Sequence, residues 1–192
     1  DYASHRQTDP RIAAYVHKAL QKANTILNVG AGAGSYEPED KYVVASEPFE
    51  AMRQQRIAAN KVPAIIGKAG ALPFDDNSFD MVTCMEALEF MPQPEQGLSE
   101  LIRVLRPSGL LLTTRRINEP LMPTKLWSQE TMREILSANG AQDIEFEDWQ
   151  YDYEKVWAIK AGASDFIGAI PLKDMPVRGA IKRDKDSIIQ IS

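Results

Sequence analysis

The sequence predicts an α/β fold in which a doubly wound parallel sheet carries helices on both faces. Apolar runs typical of buried strands alternate with stretches of helical periodicity, and glycine or acidic residues follow the ends of the early strands. The 192 residues are enough for one domain with its own core. Repeated strand–helix units favour a parallel sheet because each right-handed crossover returns the chain to the same end.

The first half of the chain begins with a predicted helix and continues with four strands. Asp9-Pro10 is a helix-start signal, so residues 1–22 are predicted to form an N-terminal helical cap segment. Residues 31–41 join the first two strands, which leaves room for a first crossover helix of one turn at most. The predicted strands are residues 25–29, 42–45, 62–66 and 79–84, with a helix between the second and third that ends near residue 59.

The second half continues the alternation. Leu98, Leu101, Ile102 and Leu105 have the i, i+3, i+4, i+7 spacing of an amphipathic helix, which Pro107-Ser108-Gly109 should end. Further predicted elements are a strand at 110–114, a helix capped by Ser128 that ends at Asn139-Gly140, and strands at 143–146 and 156–159. The predicted α/β domain spans residues 23–161. Residues 162–192 lack clear periodicity and are predicted to be a tail that acts as an arm or lid or is partly disordered.

Composition narrows the classes of partner. The 22 basic and 27 acidic side chains give a net charge of −5, which argues against nucleic acid and anionic membranes as partners. No apolar run is long enough to span a membrane. Cys84 is the only cysteine and there are two histidines, so neither a disulfide nor a metal site is expected. These features favour a cytoplasmic location.

The most informative residues follow the predicted strands. The first strand ends in Gly30-x-Gly32-x-Gly34 and the second ends at Glu47. Glycines let a ligand approach the backbone, and a carboxylate after the second strand can accept hydrogen bonds from a ribose diol. A nucleoside-bearing ligand explains both features. NAD is disfavoured because the dinucleotide fingerprint would need glycine or alanine at Ser35 and a full helix after it.

The sequence resembles the class I S-adenosylmethionine-dependent methyltransferases, specifically the type 11 methyltransferase domains. The resemblance rests on Leu27–Gly34, Glu47-Pro48, Gly67–Asp80 and Glu100–Gly109. It implies a Rossmann-like, mostly parallel, seven-stranded sheet with the last strand antiparallel, and S-adenosylmethionine as cofactor. The cofactor-binding residues that it implies are Gly30, Ala31, Gly32, Gly34, Glu47, Pro48, Lys68, Ala69, Cys84 and Met85.

Three positions depart from the family pattern. Asn28 stands where the family usually has an acidic residue, Lys68 where it usually has aspartate, and Phe90 where many relatives have histidine. Lysine cannot accept the hydrogen bond that an aspartate accepts from the adenine amino group. A non-catalytic, methyltransferase-like interaction module that binds the cofactor weakly or not at all is therefore the alternative to an enzyme.

Methyl transfer needs few side chains, and the sequence does not identify a catalytic residue. Glu86 and Glu89 follow the fourth strand and are candidate bases, although the favoured explanation is that one caps a helix and the other is exposed. Arg115 and Arg116 could bind an anionic acceptor or lie on the surface. The remaining candidates, each with a packing or surface role as the alternative, are His5, His17, Cys84, and Trp127 with Leu121-Met122-Pro123.

The absence of one motif narrows the class of methyl acceptor. Met85-Glu86-Ala87-Leu88 stands where base-amino methyltransferases of this class carry an Asn/Asp-Pro-Pro-aromatic motif. Together with the acidic charge, this predicts a small-molecule acceptor, methylated at O, C or N. A nucleotide-dependent oxidoreductase is a third interpretation, and a homodimer formed through the C-terminal tail is a further possibility.

Overall fold

The computed structural model describes residues 25–32, 34, 37, 42–61, 63–118, 126–150, 152–162, 181–183 and 189–191. The predicted N-terminal cap segment and most of the tail lie outside these residues, as do His5, His17 and Leu121-Met122-Pro123. No helix among the described residues is long and apolar enough to cross a membrane.

The described residues form nine strands, three α-helices and one short 3-10 turn at Leu88–Phe90. The strands are β1 (Thr25–Val29), β2 (Tyr42–Ser46), β3 (Ile65–Ile66), β4 (Phe79–Cys84), β5 (Leu105–Arg116), β6 (Ala141–Gln150), β7 (Tyr153–Lys160), β8 (Ile181–Arg183) and β9 (Ile189–Ile191). The helices are α1 (Glu50–Ala58), α2 (Pro94–Val104) and α3 (Gln129–Ala138).

All nine strands belong to one sheet with the order β6-β7-β5-β4-β1-β2-β3-β9-β8. Neighbouring strands from β3 across to β5 pair in parallel, whereas β7 is antiparallel to both β5 and β6. This confirms the predicted seven-stranded, doubly wound sheet with its last strand antiparallel. The short strands β8 and β9 from the tail extend that sheet beyond the prediction, with Ile189 paired to Ile65.

Helices cover both faces of the sheet. Leu98 and Leu101 of α2 and Met132 of α3 are buried in the larger core cluster, on the face that also receives Leu27 of β1. Side chains alternate along a strand, so Ile26 of β1 belongs to a second cluster on the opposite face. Right-handed crossovers that run in opposite directions along a sheet place their helices on opposite faces, so α1, which joins β2 to β3, lies opposite α2. Its Arg56 binds Glu37 of the loop after β1.

The bounds of β3 and β5 differ from the sequence prediction. β3 is limited to Ile65–Ile66 because Pro63 has no N–H to donate to a sheet. β5 begins at Leu105, directly after α2, so the Pro107-Ser108-Gly109 break lies inside the strand. There the residues between Leu105 and Leu110 lie opposite the single residue Asp80 of β4, and Ser108 has a φ of 65°.

The predicted start of α3 is confirmed. The Ser128 hydroxyl accepts a hydrogen bond from the N–H of Thr131 and caps α3. The two final strands of the α/β domain are present but longer than predicted, because β6 and β7 pair with one another almost along their full length. Of residues 31–41, those described (Ala31, Gly32, Gly34 and Glu37) are not helical; the remainder of the predicted short crossover lies outside the described residues.

Candidate functional site

The predicted cofactor residues follow four adjacent parallel strands, β4, β1, β2 and β3, and therefore share one edge of the sheet. Backbone contacts connect the strand ends. The N–H of Ala31 donates to the carbonyl of Ser46 at 3.1 Å, and the Ser46 hydroxyl donates to the carbonyl of Gly67 at 3.4 Å. In an open parallel sheet this carboxyl edge is where ligands bind.

Glu47 closes the glycine-rich turn that follows β1. Its Oε2 accepts a hydrogen bond from the N–H of Gly32 at 2.8 Å, and its Oε1 accepts one from the N–H of Phe49 at 3.0 Å. Gly30 and Gly32 have φ values of 64° and 54°, which favour glycine. The turn therefore depends both on the missing side chains and on the carboxylate that its backbone binds.

A buried polar network lies beneath this turn. Arg56 of α1 has no exposed surface and donates through Nη1 and Nη2 to the two oxygens of Glu37, at 2.7 and 2.9 Å. Glu37 Oε1 also accepts a hydrogen bond from the Asn28 side-chain amide at 2.9 Å. Asn28 in turn accepts one from the Thr83 hydroxyl at 3.1 Å. The network joins β1, β4, α1 and the loop after β1.

The network also fixes the third glycine of the turn. A Cβ on Gly34 would lie 2.8 Å from Arg56 Nη1 and 3.0 Å from Glu37 Oε2. The φ of Gly34 is 86°, so both sterics and backbone conformation strongly favour glycine at this position. The ion pair and the glycine-rich turn thus form one packed unit.

A second group of polar residues lies at the carboxyl ends of β4 and β5. The Tyr153 hydroxyl donates to Oε1 of Glu89 and accepts a hydrogen bond from Arg116 at 3.0 Å. Burial, followed by the neighbouring Glu89 carboxylate, raises the pKa of Tyr153, so it stays a neutral phenol. Arg115 donates to Glu154 at 2.8 Å and to the carbonyl of Trp127 at 2.9 Å.

Residues 27–113 match the family model described as a methyltransferase domain. A demethylmenaquinone methyltransferase from Clavibacter sepedonicus is 36% identical over 110 residues, covering 53% of this chain and 45% of that protein. A probable methyltransferase from Aspergillus luteorubrus is 29% identical over 159 residues, covering 69% and 56%. The chain spans about half the length of these curated relatives.

The solved structures agree on the fold. A structure of an S-adenosylmethionine-dependent methyltransferase from Aquifex aeolicus has 22% identity and a TM-score of 0.62, over 79% of this chain and 93% of that one. The family match and the shared fold support a class I S-adenosylmethionine-dependent methyltransferase domain with S-adenosylmethionine as its cofactor.

The carboxyl edge of this methyltransferase domain fits an adenosine group. A Cβ built on Gly32 would meet no atom within 4 Å, so open space lies beside the N–H that binds Glu47. Each oxygen of Glu47 accepts one backbone N–H, and a carboxylate offers about four acceptor positions in all. Two acceptor positions of Glu47 therefore have no donor among the described residues, and the ribose role of this carboxylate stays a prediction.

The other predicted cofactor residues lie along the same edge, and their roles stay predictions. Lys68 and Pro48 are exposed, and the Lys68 carbonyl accepts a hydrogen bond from Ala71 at 3.0 Å. Ala69 and Met85 pack against the two core clusters. The Cys84 thiol is fully buried, and burial raises its pKa to about 12, so it is an inert core group.

The structure shows which sequence interpretations of the polar residues hold. Glu89 neither caps a helix nor lies exposed, since it is 6% exposed and binds Tyr153. Arg115 and Arg116 are paired with protein groups rather than free at the surface. Sequence analysis missed Arg56 and Tyr153 because nothing in their local patterns distinguishes them from solvated or sheet-packing residues.

Substitutions of Glu37 and Arg56 should be strongly coupled in their effects on the free energy of unfolding. Glu37→Gln or Arg56→Met alone leaves a buried charge without its partner, which costs about 3–5 kcal/mol. The double variant removes both charges and should cost much less than the sum of the two single changes. Urea denaturation of the four proteins measures the free energies of unfolding. Additive losses would contradict the coupling.

Glu47 should control cofactor affinity. Glu47→Ala removes the ribose acceptor and the group that holds the glycine turn, so affinity for S-adenosylhomocysteine should fall at least tenfold. The matched control is Glu50→Ala, since Glu50 is an exposed glutamate three residues along the chain. Isothermal titration calorimetry measures the affinity of both variants for S-adenosylhomocysteine. Unchanged affinity in the Glu47 variant would refute the ribose assignment.

Proposed function

We propose that this chain transfers a methyl group from S-adenosylmethionine to a small-molecule acceptor at oxygen, carbon or nitrogen. The observation that carries the proposal is the Glu47 carboxylate, which is bound to the glycine turn and retains acceptor positions beside open space. Several relatives are named as methyltransferases of demethylmenaquinone, tocopherol and 2-methyl-6-phytyl-1,4-hydroquinone. Those names support a small-molecule acceptor.

The residues of the chain position the reactants and exclude water. Glu47 would hold the ribose, and the backbone of the glycine turn would hold the amino-acid part of the cofactor. When bound, the cofactor supplies a methyl group already activated on a sulfonium. Alignment of an acceptor atom with that methyl group can then supply most of the rate enhancement. The apolar run into Met85 would line the floor of this space.

Charge and sequence at the strand ends support a small acceptor rather than nucleic acid. The net charge of −5 disfavours binding to a phosphate backbone. Met85-Glu86-Ala87-Leu88 stands where base-amino methyltransferases of this class carry Asn/Asp-Pro-Pro-aromatic. The side chains of this segment are partly apolar and lead into the Leu88–Phe90 turn.

Thermal unfolding with different ligands tests the proposed function. S-adenosylmethionine or S-adenosylhomocysteine at about a hundred times its dissociation constant should stabilise the chain by about 2.7 kcal/mol. For a domain of this size the melting temperature then rises by about 5–10 °C. NAD at the same concentration should give no shift. A shift with NAD and none with the adenosyl ligands would support the oxidoreductase interpretation instead.

The alternative is a non-catalytic interaction module on the same fold. Lys68 is exposed and offers no acceptor, and Phe90 is 53% exposed where many relatives have histidine. The third departure, Asn28, counts against this alternative, because its amide is engaged by Glu37 and Thr83 in a complete buried network. The balance favours an enzyme.

Truncation of the tail tests the alternative. Strand β8 is the last strand of the sheet, so residues 162–192 could pair with a second copy through this edge. If the tail mediates a homodimer, removal of residues 163–192 should halve the mass in solution, measured by light scattering. Binding of S-adenosylhomocysteine to the truncated chain is the control for folding. An unchanged mass would refute self-association through the tail.

A further inference from the structure

The main chain at Glu47 is held on both sides of the residue. The N–H of Glu47 donates to the carbonyl of Ile65 at 3.0 Å, which fixes the end of β2 against β3. The carbonyl of Glu47 accepts a hydrogen bond from Nη1 of Arg53 at 3.0 Å, and the carbonyl of Pro48 accepts another from the same nitrogen at 2.6 Å. One side chain of α1 therefore holds two consecutive carbonyls of the turn that leads from β2 into the helix.

These two carbonyls lie outside the hydrogen-bond ladder of α1. The ladder begins at Phe49, whose carbonyl accepts the N–H of Arg53 at 3.1 Å. The carbonyls of Glu47 and Pro48 precede that residue, so the helix itself supplies no N–H to them. The side chain of Arg53 reaches back along the helix and donates to them instead.

Packing alone does not explain a buried arginine at this position. Arg53 is 7% exposed, and its Nε is buried without a hydrogen-bond partner. None of the ion pairs in the described part of the chain includes this guanidinium, in contrast to Arg56 with its Glu37. A methionine would fill similar space without burying a charge, so what the arginine adds is its contact with the two carbonyls.

The contacts of Glu47 together fix the direction of its carboxylate. The two carboxylate oxygens accept the N–H groups of Gly32 and Phe49. The main chain of the residue is held by β3 on one side and by Arg53 on the other. A group that is ordered before a ligand arrives binds it more tightly, because less conformational freedom is lost on binding. Without Arg53 the main chain at Glu47 gains freedom, and the carboxylate moves with it.

We propose that Arg53 is a positioning residue that holds the Glu47 carboxylate in the orientation needed to accept hydrogen bonds from the ribose of the cofactor, an inference that rests on the proposed function. In this role Arg53 acts through the carbonyls of Glu47 and Pro48, without contact to the cofactor. Its substitution should therefore weaken the preference of the chain for a ribose over a deoxyribose, beyond any general loss of affinity.

Two ligands that differ in one hydroxyl test this role. Isothermal titration calorimetry should show that the unchanged chain binds S-adenosylhomocysteine about tenfold more tightly than its 2′-deoxy analogue, which lacks one donor to Glu47. In Arg53→Met this ratio of affinities should fall to about threefold, because a misdirected carboxylate retains only part of the hydrogen bond.

Arg106→Met is the matched control. Arg106 is also buried and also donates to two backbone carbonyls, those of Asn77 and Ser78. These residues directly precede β4, so they lie at the end of the sheet opposite the cofactor edge. Loss of Arg106 should lower the melting temperature and leave the tenfold ratio unchanged.

Arg53→Lys carries the test if Arg53→Met does not fold. Lysine keeps the positive charge, but its nitrogen lies one bond short of the position of Nη1 in arginine, so it cannot hold both carbonyls in the same way. The ratio of affinities should therefore fall in this variant as well, while it stays unchanged in Arg106→Met.

The outcomes separate this inference from the proposed function. A ratio that stays near tenfold in the Arg53 variants while both affinities fall together would show a purely structural role and overturn the inference. An equal fall of the ratio in Arg106→Met would overturn it too, since any loss of stability would then have the same effect. A chain with no preference for the ribose would refute the ribose role of Glu47 and this inference with it. Failure of the unchanged chain to bind S-adenosylhomocysteine would instead overturn the proposed function.

Discussion

The ion pair between Glu37 and Arg56 is the interaction on which the cofactor edge depends. A guanidinium stays charged under all relevant conditions, so a fully buried Arg56 requires a carboxylate that meets it in two hydrogen bonds. Glu37 comes from the loop after β1 and Arg56 from the helix after β2. The pair therefore sets the position of α1 relative to the glycine turn, and Gly34 is packed against both charges.

Two carboxylates near the same turn take different roles because their partners differ. Glu37 is enclosed by Arg56 and Asn28, so its charge is neutralised and its acceptor positions are used. Glu47 accepts hydrogen bonds only from backbone N–H groups, and no cation pairs with it among the described residues. Glu47 thus has only backbone donors, in the described part of the chain, at the edge where the cofactor is proposed to bind. The presence of asparagine rather than an acidic residue at position 28 therefore leaves the Glu47 carboxylate in place at this edge.

The sequence was sufficient to predict those elements whose structure follows from a local pattern of residues. The apolar runs of β1, β2 and β4, the Ser128 cap and the glycine turn follow from propensity and spacing alone, and the structure places each as predicted. Arg56 could not be found this way, because an arginine on a helix normally lies in solvent and its partner is 19 positions away. The orientation of Glu89 depends equally on Tyr153, 64 positions along the chain. Such pairings depend on topology, which no local pattern encodes.

The segment after β4 connects the glycine turn after β1 to the polar group formed by Glu89, Tyr153 and Arg116. Glu86 adopts a φ of 55°, an uncommon conformation for this residue, and its N–H is held by the Thr114 hydroxyl at 2.7 Å. This turn brings Ala87 close to Gly30, since a Cβ on Gly30 would lie 3.0 Å from the Ala87 Cβ. Glu89 follows three residues after Glu86 and accepts the hydrogen bond from Tyr153. The uncommon backbone conformation of Glu86 thus allows one short segment to contact the glycine turn and still place the Glu89 carboxylate against Tyr153.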